Sequence, residues 1–258
     1  MSSIEMAGNL PRQPEDKTMT ILEHLQELRR RLMICAGALV ISTGLSFYPI
    51  TSWVLQWMKK PAEERVANFD LIFTQPLEYW TTFFRVSLLV GFAMAMPVIL
   101  WQLIGFVGPG LTRNEKKWAY PIVILASGMF VLGCAFAYYI ELPPALGFLF
   151  STPGDVAEPL ISVKAYVDFI TRLMLVTGLA FETPLVIMGL AKVGVITSKR
   201  LWSWKRYVIV AAFVIAAIIT PSPDPVTQTI VAVPMLVLFG LGMVLARMVE
   251  SSPLIPRA

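Results

Sequence analysis

Charge is scarce in this 258-residue chain. Asp, Glu, Lys and Arg make up 15% of it against 56% hydrophobic residues, and the mean hydropathy is +0.68. Soluble domains carry about a quarter charged residues, so an ordinary soluble enzyme is excluded. Histidine occurs once, as His24, which excludes His-based metal clusters and the His-Glu-x-x-His zinc signature. There is no Gly-x-Ser-x-Gly elbow and no phosphate-binding loop ending in Gly-Lys-Ser/Thr, which argues against a serine-type intramembrane protease or an ATP-driven pump. No cofactor or metal is expected. The two cysteines, Cys35 and Cys134, lie in separate apolar blocks and read as packing residues, not a disulfide. No internal repeat is evident. Nor does an apolar stretch open the chain: Met1 to Arg31 is polar and carries Glu5, Glu15, Asp16, Glu23 and Glu27, so neither a cleavable secretory signal nor a plastid transit peptide is expected.

What the chain has instead is a series of long apolar blocks separated by Pro, Gly and charge. Six membrane spans are predicted: Leu32 to Ile50, Leu77 to Phe106, Trp118 to Ile140, Tyr166 to Leu190, Tyr207 to Thr220 and Val226 to Ala246. An even number places both termini on one side. Fifteen of the 21 Lys and Arg residues fall on that side, against four in the other loops (Lys59, Lys60, Arg65, Lys164), with Arg85 and Arg172 inside spans. The positive-inside rule makes the termini cytoplasmic. All seven Trp fall near predicted span ends, as an interfacial belt requires. The fifth span has fourteen apolar residues, which rise about 21 Å against a hydrocarbon core of about 30 Å. Residues 1–18 read as a disordered cytoplasmic tail, 19–248 as the six-span domain and 249–258 as a short second tail. The segments from Thr51 to Pro76 and from Glu141 to Ala165 read as Pro-rich outer loops that fold over the outer face.

Ionisable groups within apolar stretches are costly in lipid and mark candidate sites. Asp168 precedes Arg172 by four residues, the favourable orientation for a helical ion pair, and Arg85 follows Glu78 by seven on nearly the same face, so both arginines are expected to pair structurally or to snorkel. Glu182 has no such partner. It sits deep in the fourth span beside Pro184, which frees the carbonyl of Ala180, and it must face protein or water. At the cytoplasmic entrance, Ile21, Leu25, Leu28 and Leu32 form an apolar stripe on an amphipathic helix that runs into the first span. Thr20 with Glu23 and Thr112 with Glu115 have capping-box spacing, and Glu27 stands four residues before Arg31. These residues alone leave two readings open for Glu27 and Glu115: ion pair and helix cap, or binding acids.

Four strings, in order, resemble the TatC family, the multispanning core of twin-arginine protein translocation. His24-Leu25-Gln26-Glu27-Leu28-Arg29-Arg30-Arg31-Leu32 is similar to the family's entry helix, and Pro97-Val98-Ile99-Leu100-Trp101-Gln102 with Phe106 and Pro109-Gly110-Leu111 to its second-span exit. Phe181-Glu182-Thr183-Pro184 resembles its Phe-Glu-x-Pro, and Thr220-Pro221 through Asp224 and Gln228 its last hairpin. Trp101 and Gly105 stand where Tyr and Ala are common.

The resemblance implies an all-α integral membrane protein of the bacterial inner membrane, whose six transmembrane helices form a curved, concave wall. It implies a receptor, not an enzyme, one that binds the twin-arginine signal peptide of folded cargo at the cytoplasmic face, recruits the single-span partners TatA and TatB, assembles as a homo-oligomer and draws on the proton-motive force. Carried over residue by residue, Glu27 and Glu115 would meet the two arginines, supported by Arg29 and Gln102. Glu182, Asp224 and Gln228 would lie on the concave, partner-facing side, and Pro61 in the outer cap. A carboxylate accepts a planar guanidinium through two parallel bonds, which lysine cannot reproduce. The rival expectation is a secondary transporter or channel with Glu182 as a proton or cation site.

Overall fold

The computed structural model describes residues 21–63, 71–72, 74–107, 113–150, 161–192, 194–220 and 224–250. The two predicted tails lie almost wholly outside them. Eight helices follow in order: α1 (Ile21–Ser46), α2 (Pro49–Glu63), α3 (Glu78–Val107), α4 (Arg113–Phe136), α5 (Leu142–Phe150), α6 (Val163–Lys192), α7 (Ser198–Ile219) and α8 (Pro225–Glu250), with a π-helical turn, Ala137–Glu141, joining α4 to α5. Five stretches are long and apolar enough to cross a membrane: α3, the α4–α5 unit, α6, α7 and α8. The pair α1 and α2, bent by 76°, passes together as a sixth.

The helices pack as a row. α1 lies on α3; α3 and α4 flank α6; α6 carries α8, and α8 carries α7. No packed seam joins α1 to α7 among the described residues, so the row stays open at its ends. α6 is central and buries a near-continuous set from Val163 to Ala191, whereas α7 buries only Ser198, Leu201, Ala212, Ala216 and Ile219. In lipid, helix association depends on close backbone approach rather than on burial from water. The seam of α4 and α6 shows this: a Cβ at Gly133 would stand 2.8 Å from the Gly178 Cα, and one at Gly178 would stand 2.7 Å from the Phe130 ring.

Two segments expected as loops are largely helical. Within Thr51 to Pro76, α2 begins with Pro49 at its first position and buries Thr51, Met58, Pro61 and Ala62. Pro is compatible with a first turn because the N–H it lacks has no intrahelical partner there. Within Glu141 to Ala165, the helix runs on to Phe150, past the expected end at Ile140. Pro143 and Pro144 fall in the first turn of α5 and cannot donate to the Tyr139 and Ile140 carbonyls, and just before them the Leu142 N–H bonds to the Ala137 carbonyl, widening one turn. The expected loops do meet, since Leu71–Ile72 (β1) pairs in parallel with Ile161–Ser162 (β2).

Pro61 has a specific place in this cap. An N–H at position 61 would bond to the Trp57 carbonyl, and proline removes it. That carbonyl instead accepts from the Tyr138 hydroxyl at 2.7 Å, while the Tyr166 hydroxyl donates to the Met58 carbonyl at 2.8 Å. The Trp57 and Tyr138 rings stack with centroids 3.6 Å apart. Two tyrosines from the α4–π–α5 unit and α6 thus hold α2 across one end of the row.

Candidate functional site

The opposite end carries the basic segments, and there α1 crosses the end of α3. Leu25, Leu28, Leu32, Met33 and Ala36 line a shallow groove of about 410 Å³ together with Arg29, which is exposed. On another side of α1, Glu27 sits beside residues that meet α3. Its Oε1 accepts two hydrogen bonds from one guanidinium, from Arg31 Nε at 2.9 Å and from Nη2 at 2.6 Å. Arg31 Nη1 continues to Gln102 Oε1 at 3.1 Å. The His24 ring stacks on Phe106 at 4.3 Å, with its Nδ1 3.8 Å from Glu27 Oε2. The i,i+4 pairing open to Glu27 from the sequence is therefore present, and Gln102 joins it through Arg31. Arg29 does not. Glu115 falls in the first turn of α4 and its side chain lies outside the described residues.

Inside the membrane Arg172 approaches Asp168 as its spacing predicts, but Arg85 does not pair with Glu78. Glu78 is taken up at the cap face, where it accepts from the Thr74 N–H (2.7 Å), the Thr74 hydroxyl (2.7 Å), the Gln75 N–H (3.2 Å) and the Lys164 N–H (2.8 Å). It thereby ties the first turn of α3 to that of α6, where four N–H groups lack intrahelical partners. Arg85 instead forms an ion pair with Asp168 on α6, and Arg172, also on α6, approaches the same carboxylate at 4.0 Å. Helical spacing within one chain segment could not reveal a pair made across two helices.

Glu182 is buried, 6% exposed, and its Oε1 has no hydrogen-bond partner among the described residues. Asp224 caps α8: one carboxylate oxygen accepts from the Thr227 N–H at 2.7 Å and the other from the Thr227 hydroxyl. The half-buried Gln228 lies one turn on, in the second turn of α8. The structure does not bring Glu182 to this pair. α6 and α8 run parallel with Gly242 against Pro184 and Ile187, which leaves Asp224 about 20 Å along the axis from the level of Glu182 at 1.5 Å per residue.

A second buried acid was missed. Glu141, 1% exposed, closes the π turn and accepts from the Thr177 hydroxyl of α6 at 2.7 Å, with its Oε1 unpaired among the described residues. Reading the third span as ending at Ile140 placed this residue in a loop. The apolar run that resumes at Leu142 was the available signal.

The chain matches the family model described as Sec-independent protein translocase protein (TatC) over residues 23–234. A TatC protein of Helicobacter pylori (strain ATCC 700392 / 26695) is 40% identical over 230 residues, which are 89% of this chain and 88% of the relative. That of Aquifex aeolicus (strain VF5) is 40% identical over 232 residues, 89% and 95%. A chloroplastic TATC of Arabidopsis thaliana is 38% identical over 226 residues, 88% and 66%. Among solved structures, a crystal structure of the twin-arginine translocase receptor TatC superimposes with a TM-score of 0.81 at 39% identity, covering 88% of this chain and 99% of that one. With its row of membrane-crossing helices, and with relatives this close along nearly its whole length, the chain belongs to the TatC family of Sec-independent protein translocase components, multi-span membrane proteins of transport rather than enzymes.

Proposed function

We propose that this chain is the receptor that reads a twin-arginine signal peptide at the cytoplasmic face, with Glu27 and Glu115 as the acids that meet the two arginines. The observation that carries the reading is the Glu27 carboxylate. It stands at the basic end of α1, partly open to solvent, and is already shaped around a guanidinium donated in a two-pronged fashion. Gln102 adds a neutral acceptor beside it. Arg29, on the neighbouring exposed face, borders an apolar groove suited to the hydrophobic part of a signal peptide.

The excess of Lys and Arg on the side of the termini supports cytoplasmic N- and C-termini in a bacterial inner membrane. The thinly buried α7, with α8 and its Asp224 and Gln228, is the surface for single-span partners of the TatA and TatB kind. Glu182 lies deeper along the neighbouring α6. Several copies together make the receptor complex, and the proton-motive force drives transport, since the sequence carries no nucleotide-binding motif. The family assignment displaces a transporter built on Glu182.

The test is a titration of arginine-pair and lysine-pair signal peptides against the wild type, Glu27→Ala and Glu115→Ala in nanodiscs. Each substitution weakens arginine-pair binding by about 1.5 to 3 kcal/mol, the range for hydrogen bonds to charged groups, while insertion and fold are kept. If both variants retain the wild-type preference for the arginine pair, these acids are not the readers.

A further inference from the structure

We infer that Arg31 is a built-in competitor for the signal peptide: it occupies Glu27 in the resting receptor and must release that carboxylate before an incoming arginine can be bound. The inference rests on Glu27 being a reader, as proposed above. Three observations carry it. First, the oxygen that Glu27 offers is already used twice, because Arg31 Nε and Nη2 both donate to Oε1. Second, the other oxygen is not open to a ligand: Oε2 is buried, accepts no hydrogen bond among the described residues and faces the His24 ring, which is itself packed on Phe106. A guanidinium docks on a carboxylate through two parallel bonds that use both oxygens. The carboxylate as it stands can offer neither. Third, Arg31 has somewhere to remain when it lets go, since Nη1 also reaches the Gln102 side-chain oxygen at 3.1 Å and the Gln102 carbonyl at 3.4 Å.

A sharing model, in which both guanidinium groups flank one carboxylate, places like charges side by side and still requires Oε2 to turn out from beneath His24. Exchange is the simpler event, because a contact of the same chemical kind replaces the one that is lost. Competition of this sort lowers the affinity of every cation for Glu27 by one common factor. It leaves the ratio between arginine and lysine unchanged, and it moves weak binders below the concentration at which they fill the site.

The position of Arg31 depends on Gly105. A Cβ at that residue would stand 2.3 Å from Arg31 Nη1 and 3.0 Å from Cζ, so the guanidinium lies where any side chain on α3 would sit. This supplies a second perturbation that changes no charge. Gly105→Ala displaces Arg31 from Gln102 while leaving its pair with Glu27 on α1, and Arg31→Gln removes the competing cation.

The experiment measures arginine-pair and lysine-pair signal peptides binding to full-length protein in nanodiscs, for the wild type, Arg31→Gln, Arg31→Lys, Gly105→Ala and Glu27→Ala. Arg31→Gln tightens both peptides by about tenfold, as expected from removing one partly buried charge-assisted pair. Gly105→Ala weakens both, because it removes the place to which Arg31 retreats, Arg31→Lys falls between the wild type and Arg31→Gln, and the arginine-to-lysine ratio stays constant. A purely supporting role for Arg31 predicts the opposite sign for Arg31→Gln, so weaker binding by that variant overturns the inference while leaving Glu27 as a reader. Unchanged binding by Glu27→Ala overturns both. Helix content and thermal midpoint, recorded for each variant, separate a change in the site from a misfolded sample.

Discussion

Removing the Tyr138 hydroxyl should loosen the capping helix by a calculable amount, and Pro61 should decide how much. In Tyr138→Phe the ring can keep its stack on Trp57, so what is lost is one hydrogen bond of 2.7 Å to the Trp57 carbonyl. That carbonyl has no helical donor of its own because residue 61 is proline. Leaving a buried acceptor unmet costs about 1 to 3 kcal/mol. Tyr166 still holds Met58, so α2 opens more often without detaching. Amide exchange along Pro49–Glu63 in nanodiscs should accelerate by about 5- to 150-fold, at 1.4 kcal/mol for each factor of ten. In a Pro61→Ala background the Trp57 carbonyl regains an in-helix donor, and Tyr138→Phe should then cost less than half as much. The two changes thus couple by about 0.5 to 1.5 kcal/mol in a double-mutant cycle. Additivity within about 0.3 kcal/mol would refute the account of why this proline lies inside the helix.

Three further outcomes are expected. Asp168→Asn leaves Arg85 and Arg172 without their shared carboxylate, and it should lower stability by about 1 kcal/mol, the upper end for partly exposed ion pairs, read as the thermal midpoint of purified protein in detergent. Gly133→Ala drives a methyl group against the backbone of Gly178, which cannot yield as a side chain would, so it should destabilise by about 1 to 3 kcal/mol in the same assay. Glu182→Gln should sustain transport of a folded cargo better than Glu182→Leu, because Gln keeps a hydrogen-bonding group at the unpaired Oε1 position; equal transport by both variants would assign the acid to packing alone.

The parts of this molecule governed by local pattern could be read from its sequence, and those governed by meetings between distant segments could not. Long uncharged runs fix the membrane-crossing helices whatever their neighbours are, so α3, α6 and α8 lie where apolar length places them. Glu27 and Arg31 pair within one turn and were open to reading from spacing. Arg85 is different. Its apparent partner Glu78 is claimed by the N–H groups of Thr74, Gln75 and, on α6, Lys164, and its actual partner Asp168 lies on another helix, so the outcome depends on packing that spacing does not encode. α2 shows an apolar rhythm at Ile50, Trp53, Val54, Trp57 and Met58, but Lys59, Lys60 and Pro61 hid it as a loop. Asp224 followed by Pro225 is itself a helix-start signal, and its capping bonds to Thr227 follow from chain geometry alone. The side chain of Glu115 stays outside the described residues, so its reading rests on the family.

The π turn at Ala137–Glu141 makes this helix sensitive to length in a way that substitutions do not capture. An extra residue held within one turn shifts everything beyond it by about 100° relative to an unbroken α-helix. That shift lets Tyr138, Glu141, Leu142, Ala145 and Leu146 all face the interior while Tyr139 and Ile140 stay exposed. Deleting a single codon between Ala137 and Ile140 would let the ladder close as an ordinary helix, carrying Glu141 away from Thr177 toward lipid and swinging α5 off its neighbours. Relatives that tolerate many amino-acid exchanges here should therefore tolerate few insertions or deletions: at this point the helix keeps a count of residues, and the count sets which side of the chain is inside.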